Sequence, residues 1–176
     1  MANSKSKLRL LLEAGAEVEP PKEVRVRYSP LVLASMTGDL ENVKLLLSRG
    51  ATPSEGALSQ AVTFGYPDVV QGLMSSGVNT KIVESSGINL LHWAAITNRP
   101  AMIPLLVQAR VPINATDDYG FTPLVYAATI DFGDTAVLAE LLKAGADRTI
   151  RNDDGRTPLE QARHYKHALV EPLLRY

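Results

Sequence analysis

Two short phrases recur along this sequence at a nearly constant spacing, and this repetition constrains the fold more than any other feature. The phrase Leu-Leu-x-x-Gly-Ala stands at 11–16, 46–51 and 141–146, with degenerate copies at 73–78 and 106–111. A second phrase, Thr-Pro-Leu-x-x-Ala, stands at 122–127 and 157–162, with weaker copies at 29–34, 56–61 and 89–94. Its leucine returns after 27, 33, 33 and 35 residues. A fixed period of this length predicts a stack of similar supersecondary units.

The residues of each copy also have local physical reasons. Thr122 stands where a helix would begin, and its hydroxyl can accept a bond from an unpaired backbone N–H. Pro123 then occupies the first helical position, where a missing N–H costs nothing. Gly145 stands where the second helix of a pair would end in a left-handed residue. Asp154-Gly155 predicts a tight turn.

The second phrase matches Thr-Pro-Leu-His-x-Ala at a period of about 33 residues, so the sequence resembles the ankyrin-repeat family from Leu8 to its C-terminus. The resemblance implies an all-α solenoid of helix–turn–helix repeats with short hairpin fingers. We expect one ankyrin-repeat domain over residues 1–176. Its parts would be a partial N-terminal repeat and loop at 8–27 and five repeats at 28–53, 54–80, 81–113, 114–147 and 148–176.

Several copies depart from the pattern. Only the second helix of the first copy is present, which favours a chain cut from a longer repeat array over a natural open end. Only seven steps separate Gly50 from Ala57, so the repeat that follows should lack its finger. Arg110 replaces the capping glycine, so that helix end should be strained or differently capped. Pro104 should loosen the first turn of its helix, and two extra residues should widen the turn at 131–134.

Composition excludes several classes of function. The formal net charge is −1, which gives no electrostatic footprint for nucleic acid. The chain has no cysteine, so disulfides and thiolate chemistry are excluded. No apolar run approaches the ~20 residues that span a bilayer, and we expect no membrane insertion. This composition suits the cytoplasm slightly better, and it is also compatible with the periplasm or with secretion.

The residues that could carry chemistry have structural explanations. The resemblance gives His92 the role of bonding the backbone of a neighbouring loop. His164 and His167 are spaced i, i+3 and could hold a metal, but we expect a solvated capping face. Asp117-Asp118 and Asp153-Asp154 fall at equivalent repeat positions, where aspartate stabilises a turn. We therefore expect no catalytic residue, no metal site and no cofactor.

The resemblance implies that finger tips and the exposed ends of the first helices line one concave face. Trp93 and Tyr126 should instead pack between repeats as structural residues. Several large side chains on that face have no core to enter, which indicates an interface, although some could brace neighbouring fingers. The predicted partner-binding residues are Phe64, Ile88, Ile96, Tyr119, Phe121, Ile130, Arg156 and Tyr165.

The resemblance therefore implies a monomeric, non-catalytic module that binds a protein partner through this surface. The alternative is an accessory repeat region of a larger enzyme or transporter, used for assembly in cis.

Overall fold

The computed structural model describes residues 4–20 and 27–175, and this part of the chain is helical. Apart from an isolated bridge between Val83 and Asn89, the described residues contain no strand. The predicted all-α fold is therefore confirmed. Its helices are α1 (Ser4–Glu13), α2 (Pro30–Met36), α3 (Leu40–Ser48), α4 (Glu55–Phe64), α5 (Pro67–Ser75), α6 (Leu90–Ile96), α7 (Met102–Gln108), α8 (Pro123–Thr129), α9 (Ala136–Lys143), α10 (Pro158–His164) and α11 (Glu171–Leu174).

The first helix of each pair begins at a capping side chain. Thr122 Oγ1 accepts a hydrogen bond from the Val125 N–H at 3.2 Å, and Pro123 occupies the first helical position of α8. Thr157 caps α10 in the same way. These caps satisfy N–H groups that a helix start leaves unpaired. The predicted helix starts are confirmed, and Ser29, Ser54 and Asn89 cap α2, α4 and α6.

Helices α1, α3, α5, α7 and α9 are each followed by a left-handed residue. Gly50 and Gly145 have φ values of 94° and 89°. The N–H of Gly145 bonds to the Leu142 carbonyl at 3.0 Å, which closes the last turn. Arg110 adopts the same conformation with φ of 60°, so the predicted strain at this helix end is confirmed.

The described residues from 4 to 79 form one compact unit. In this unit α2 packs against α4, α3 packs against α5, and α1 contacts α3. Leu31, Leu46, Leu58 and Leu73 are fully buried in its core. Residues 51–54 lead from α3 directly to α4, so this repeat lacks a finger, as predicted. The predicted loop at the end of 8–27 lies partly outside the described residues.

The described residues from 80 to 175 form a second compact unit. Its inner helices α6, α8 and α10 pack side by side, with α8 in the middle, and α7 packs against α9. Leu91, Ile103, Leu124 and Leu141 are fully buried. Three finger segments belong to this unit, and they are defined by their turns at 84–88, 117–121 and 152–156.

Two local predictions concern this unit. The N–H groups of Met102 and Ile103 bond to carbonyls three residues back, so α7 begins with a tight 3₁₀ turn before Pro104, and the loosening expected from Pro104 stays a prediction. Residues 130–135 form a wide connection between α8 and α9. In this connection Asp131 accepts a hydrogen bond from the Gly133 N–H at 2.8 Å.

One expectation about the histidines is wrong. Helix α10 ends at His164, and His167 lies beyond it with only 2% of its surface exposed. Its Nδ1 lies 3.2 Å from the Ala128 carbonyl oxygen, and its Nε2 lies 3.3 Å from an oxygen of Asp131. His167 is therefore buried beside α8 and does not lie on a solvated helix face.

Candidate protein-interaction surface

The three fingers have the same backbone turn. In the second finger the N–H of Asp117 bonds to the Phe121 carbonyl, and the N–H of Gly120 bonds to the Asp117 carbonyl, both at 3.0 Å. The first finger repeats these bonds from Glu84, and the third repeats them from Asn152. Asp117 is therefore equivalent to Asn152, and the expectation that it is equivalent to Asp153 is wrong by one residue.

Asp117 stabilises its turn with its side chain as well. Its Oδ1 accepts hydrogen bonds from the N–H groups of Tyr119 at 2.9 Å and Phe121 at 2.8 Å. Asn152 accepts the equivalent bond from the Arg156 N–H at 2.9 Å. The predicted turn role of Asp117 is confirmed, and only 7% of the residue is exposed.

Neighbouring fingers are joined through their backbones. The N–H of Asp118 donates to the Ser86 carbonyl, and the N–H of Asp153 donates to the Tyr119 carbonyl, both at 3.0 Å. The residue after each accepting carbonyl is a glycine, and its lack of a side chain allows this close approach. A Cβ added at Gly120 would lie 2.9 Å from the Asp153 nitrogen, which is closer than real Cβ atoms come. The fingers are therefore held at a fixed spacing.

A side-chain bond also joins each finger to its own inner helix, and in each case the two bonded residues are nine positions apart in the sequence. Tyr126 donates from its hydroxyl to Asp117 Oδ2 at 2.6 Å, and Trp93 donates from Nε1 to Glu84 Oε1 at 2.8 Å. The amide of Asn152 contacts Gln161 Oε1 at 3.4 Å. Burial, and then the bond to Asp117, raise the pKa of Tyr126 well above its usual range. Both aromatics thus serve the scaffold, as expected.

His92 joins an inner helix to the next finger. Its Nε2 lies 2.9 Å from the Phe121 carbonyl oxygen, and its Nδ1 lies 3.1 Å from the Asn89 nitrogen. A neutral ring satisfies both contacts, because Nε2–H donates to the carbonyl and Nδ1 accepts from the N–H. Burial lowers the pKa of His92, and the Phe121 carbonyl and Asp117 partly oppose that shift. The predicted backbone-bonding role of His92 is confirmed.

The predicted partner-binding residues differ in exposure. Tyr119, Tyr165 and Phe64 expose 68%, 55% and 41% of their surface. Phe64 belongs to the first unit, and the other predicted residues belong to the second. The remaining members of the set are half-buried, namely Ile88, Ile96, Phe121, Ile130 and Arg156.

The structure brings two of these residues together in a cleft of about 350 Å³ between the second and third fingers. We call it the tip cleft, and it is lined by Tyr119, Phe121, Tyr126, Asp153 and Asp154. The rings of Phe121 and Tyr126 lie 5.1 Å apart between centroids. None of the other predicted partner-binding residues lines the tip cleft. The sequence placed both aspartates at a finger tip but did not select them as contacts.

Arg156 lies next to the tip cleft without lining it. Its Nη1 donates to Asp154 Oδ2 at 2.9 Å and lies 3.4 Å from Gln161 Oε1. This residue stands in the third finger where Phe121 stands in the second. An arginine thus replaces an aromatic ring at that position, so the tip cleft has aromatic walls on one side only.

Two broader features of the described residues bear on the kind of site. They contain no group of three or more histidine, aspartate or glutamate side chains arranged to hold a metal ion. No helix among them is long and apolar enough to cross a bilayer.

Comparison with known proteins gives relatives of several kinds. The chain is 26% identical over 205 residues to palmitoyltransferase ZDHHC13 of Mus musculus, covering 94% of this chain and 33% of that protein. It is 31% identical over 161 residues to the ankyrin repeat protein nuc-2 of Neurospora crassa, covering 85% of this chain and 15% of that protein. It is 35% identical over 145 residues to protein phosphatase 1 regulatory subunit 27 of Mus musculus, covering 79% of this chain and 86% of that protein.

The chain thus spans about a third of the length of palmitoyltransferase ZDHHC13. Family models agree with the repeat pattern. A model of ankyrin repeats in three copies matches residues 58–151, and a single ankyrin repeat matches residues 27–56. Together the helical pairs, the capping residues and these matches show that the chain belongs to the ankyrin-repeat family.

Proposed function

We propose that this chain is a non-catalytic module that binds a partner protein, with the tip cleft at the centre of the contact. Ankyrin repeats are generally non-catalytic and imply protein–protein interaction. The similarity to a protein named as a regulatory subunit, over 86% of that protein's length, supports the same class of function. The predicted contacts Ile88, Ile96, Ile130, Arg156 and Tyr165 belong to the same unit as the tip cleft, and Phe64 belongs to the first unit.

The observation that carries this proposal is the exposure of Tyr119 on a fixed backbone. Its N–H is bonded to Asp117 and its carbonyl to the next finger, yet 68% of the residue is exposed. An exposed aromatic ring forgoes hydrophobic stabilisation that a partner could supply. Because the backbone is already ordered, binding would cost little conformational entropy. Tyrosine is one of the residue types enriched among binding hot spots.

Affinity capture from source lysate tests the proposal. We expect Tyr119→Ala to weaken partner capture strongly while leaving the urea midpoint nearly unchanged, since 68% of the residue is exposed. Adding Phe121→Ala should deepen the loss of binding, but it should also lower the midpoint because Phe121 packs on Tyr126. Truncation of a hot-spot aromatic typically costs about 2 kcal/mol or more of binding free energy.

Phe132→Ala is the matched control. Phe132 exposes 41% of its surface in the same unit and does not line the tip cleft. Capture should survive this change. If Tyr119→Ala captures the same proteins as the wild-type chain, the contact surface lies elsewhere and the proposal is wrong.

A second candidate is an accessory repeat region that assembles in cis within a longer protein. The similarity to palmitoyltransferases, limited to a third of their length, favours it. An immunoblot of source lysate with an antibody against this chain tests it. A band well above the size of 176 residues would support assembly in cis, and a single band at that size would refute it.

A further inference from the structure

The tip cleft combines aromatic walls with acidic groups, and this combination selects the chemistry of its occupant. Tyr119, Phe121 and Tyr126 present ring surface, and Asp153 and Asp154 add two carboxylates. The volume of about 350 Å³ lies at the lower end of the range for ligand pockets. A cleft of this size suits one long side chain better than a helix or a sheet edge.

The charge at the cleft is not neutralised by the protein. Asp153 is exposed, and within the described chain its carboxylate forms no ion pair. Asp154 pairs with Arg156 at 2.9 Å, but its side chain is 60% exposed, and exposed pairs of this kind are weak. A cationic occupant would therefore meet one free carboxylate and one that is loosely paired.

We propose that the tip cleft receives an arginine side chain of the partner protein, an inference that rests on the proposed function. A guanidinium stacks on aromatic faces and pairs with carboxylates through a planar fork, whereas a lysine ammonium is a compact, strongly hydrated point charge. The arginine stem would cover the ring surface of Tyr119, and the guanidinium would lie between the rings and Asp153.

Nearby arginines of the chain itself do not take this place. Arg156 Nη1 contacts Asp154 and Gln161, and Arg151 Nη1 donates to Glu160 Oε2 at 2.7 Å. Neither of them lines the tip cleft.

The first finger shows why this chemistry is specific to one cleft. Ser86 stands there at the position equivalent to Tyr119, and Ile88 at the position equivalent to Phe121. The space between the first and second fingers therefore lacks the tyrosine and phenylalanine walls. Of the three fingers, only the second carries a tyrosine and a phenylalanine at these two positions.

Selection of peptides tests the inference directly. A phage library of random 12-residue peptides would be selected on the full chain, and a selected peptide would be synthesised with its arginine kept or changed to citrulline or lysine. We expect selected peptides to share an arginine. Citrulline keeps the shape and removes the charge, so it should weaken binding at least about fivefold, and lysine should bind less tightly than arginine.

Protein variants complete the test. Asp153→Asn should weaken the arginine peptide about as much as citrulline does and should leave the citrulline peptide unaffected. Glu140→Gln is the control, because it removes one negative charge from α9 outside the cleft and should change nothing. Higher salt should weaken the arginine peptide more than the citrulline peptide.

The possible failures are distinguishable. Peptides that need Tyr119 but carry no arginine, or that ignore Asp153→Asn, would overturn the arginine site and leave the proposed function standing. Peptides that bind Tyr119→Ala as well as wild type, or a library that enriches nothing, would count against the arginine site. Lysate capture with Tyr119→Ala would then decide the proposed function by itself.

Discussion

The finger stack predicts that two similar glycines respond very differently to the same substitution. Gly120 and Gly155 occupy equivalent turn positions with φ of 71° and 76°. A Cβ at Gly120 would lie 2.7 Å from Asp153 Oδ1, 2.9 Å from the Asp153 nitrogen and 3.0 Å from the Asn152 Cα. A Cβ at Gly155 would meet nothing within 4 Å. Gly155→Ala is therefore a matched control for Gly120→Ala.

The expected free energies follow from these contacts. Both changes place alanine in a left-handed conformation, which costs about 1–2 kcal/mol. Gly120→Ala must also push the third finger away and lengthen the 3.0 Å bond from the Asp153 N–H to the Tyr119 carbonyl. Overpacking costs about 1–3 kcal/mol and a lost hydrogen bond about 1 kcal/mol. We therefore expect Gly120→Ala to be more destabilising than Gly155→Ala by about 2 kcal/mol or more.

Urea unfolding followed by circular dichroism measures both free energies. The wild-type chain and the two variants would be compared at one pH and salt concentration, with the slope of each transition fitted separately. Equal destabilisation by the two changes would refute the reasoning, because it would mean that the backbone contact between fingers contributes nothing to stability.

Two further predictions concern stability. Arg110→Gly should stabilise the chain by roughly 0.5–1 kcal/mol, because glycine removes the strain of φ at 60°, and an earlier urea midpoint would contradict the assignment of Arg110 to the helix cap. The pKa of His92 lies below its ordinary value of 6.5 in the folded chain, so the unfolded chain binds more protons below about pH 6.5. The free energy of unfolding should therefore decrease as the pH is lowered from 7.5 to 5.5, and His92 should contribute at most about 1.4 kcal/mol per pH unit to this decrease. The decrease should be smaller in His92→Gln, and urea melts of both chains at each pH measure it.

The sequence predicted those parts of the fold whose physical cause is local. Thr122, Pro123 and Gly145 act on neighbouring backbone within a turn, so their residue types reveal their roles. Arg110 was recognisable because it breaks that local pattern. His167 was misplaced because α10 ends three residues earlier, and its burial depends on α8, which is distant in sequence. The tip cleft was only half predicted, since Asp153 and Asp154 face Tyr119 across two fingers that 35 residues separate.

The finger architecture separates the groups that maintain the fold from the groups that can vary. The bonds between fingers use backbone N–H and carbonyl groups, and the bond to the inner helix uses the first residue of each turn. The side chain at the tip, which is Ser86 in one finger, Tyr119 in the next and Asp154 in the third, takes part in none of these bonds. Its identity can therefore change without altering the spacing of the fingers. A tip residue such as Tyr119 is free to be selected for the partner that it contacts, which is why a binding site is expected there and not on the buried helices.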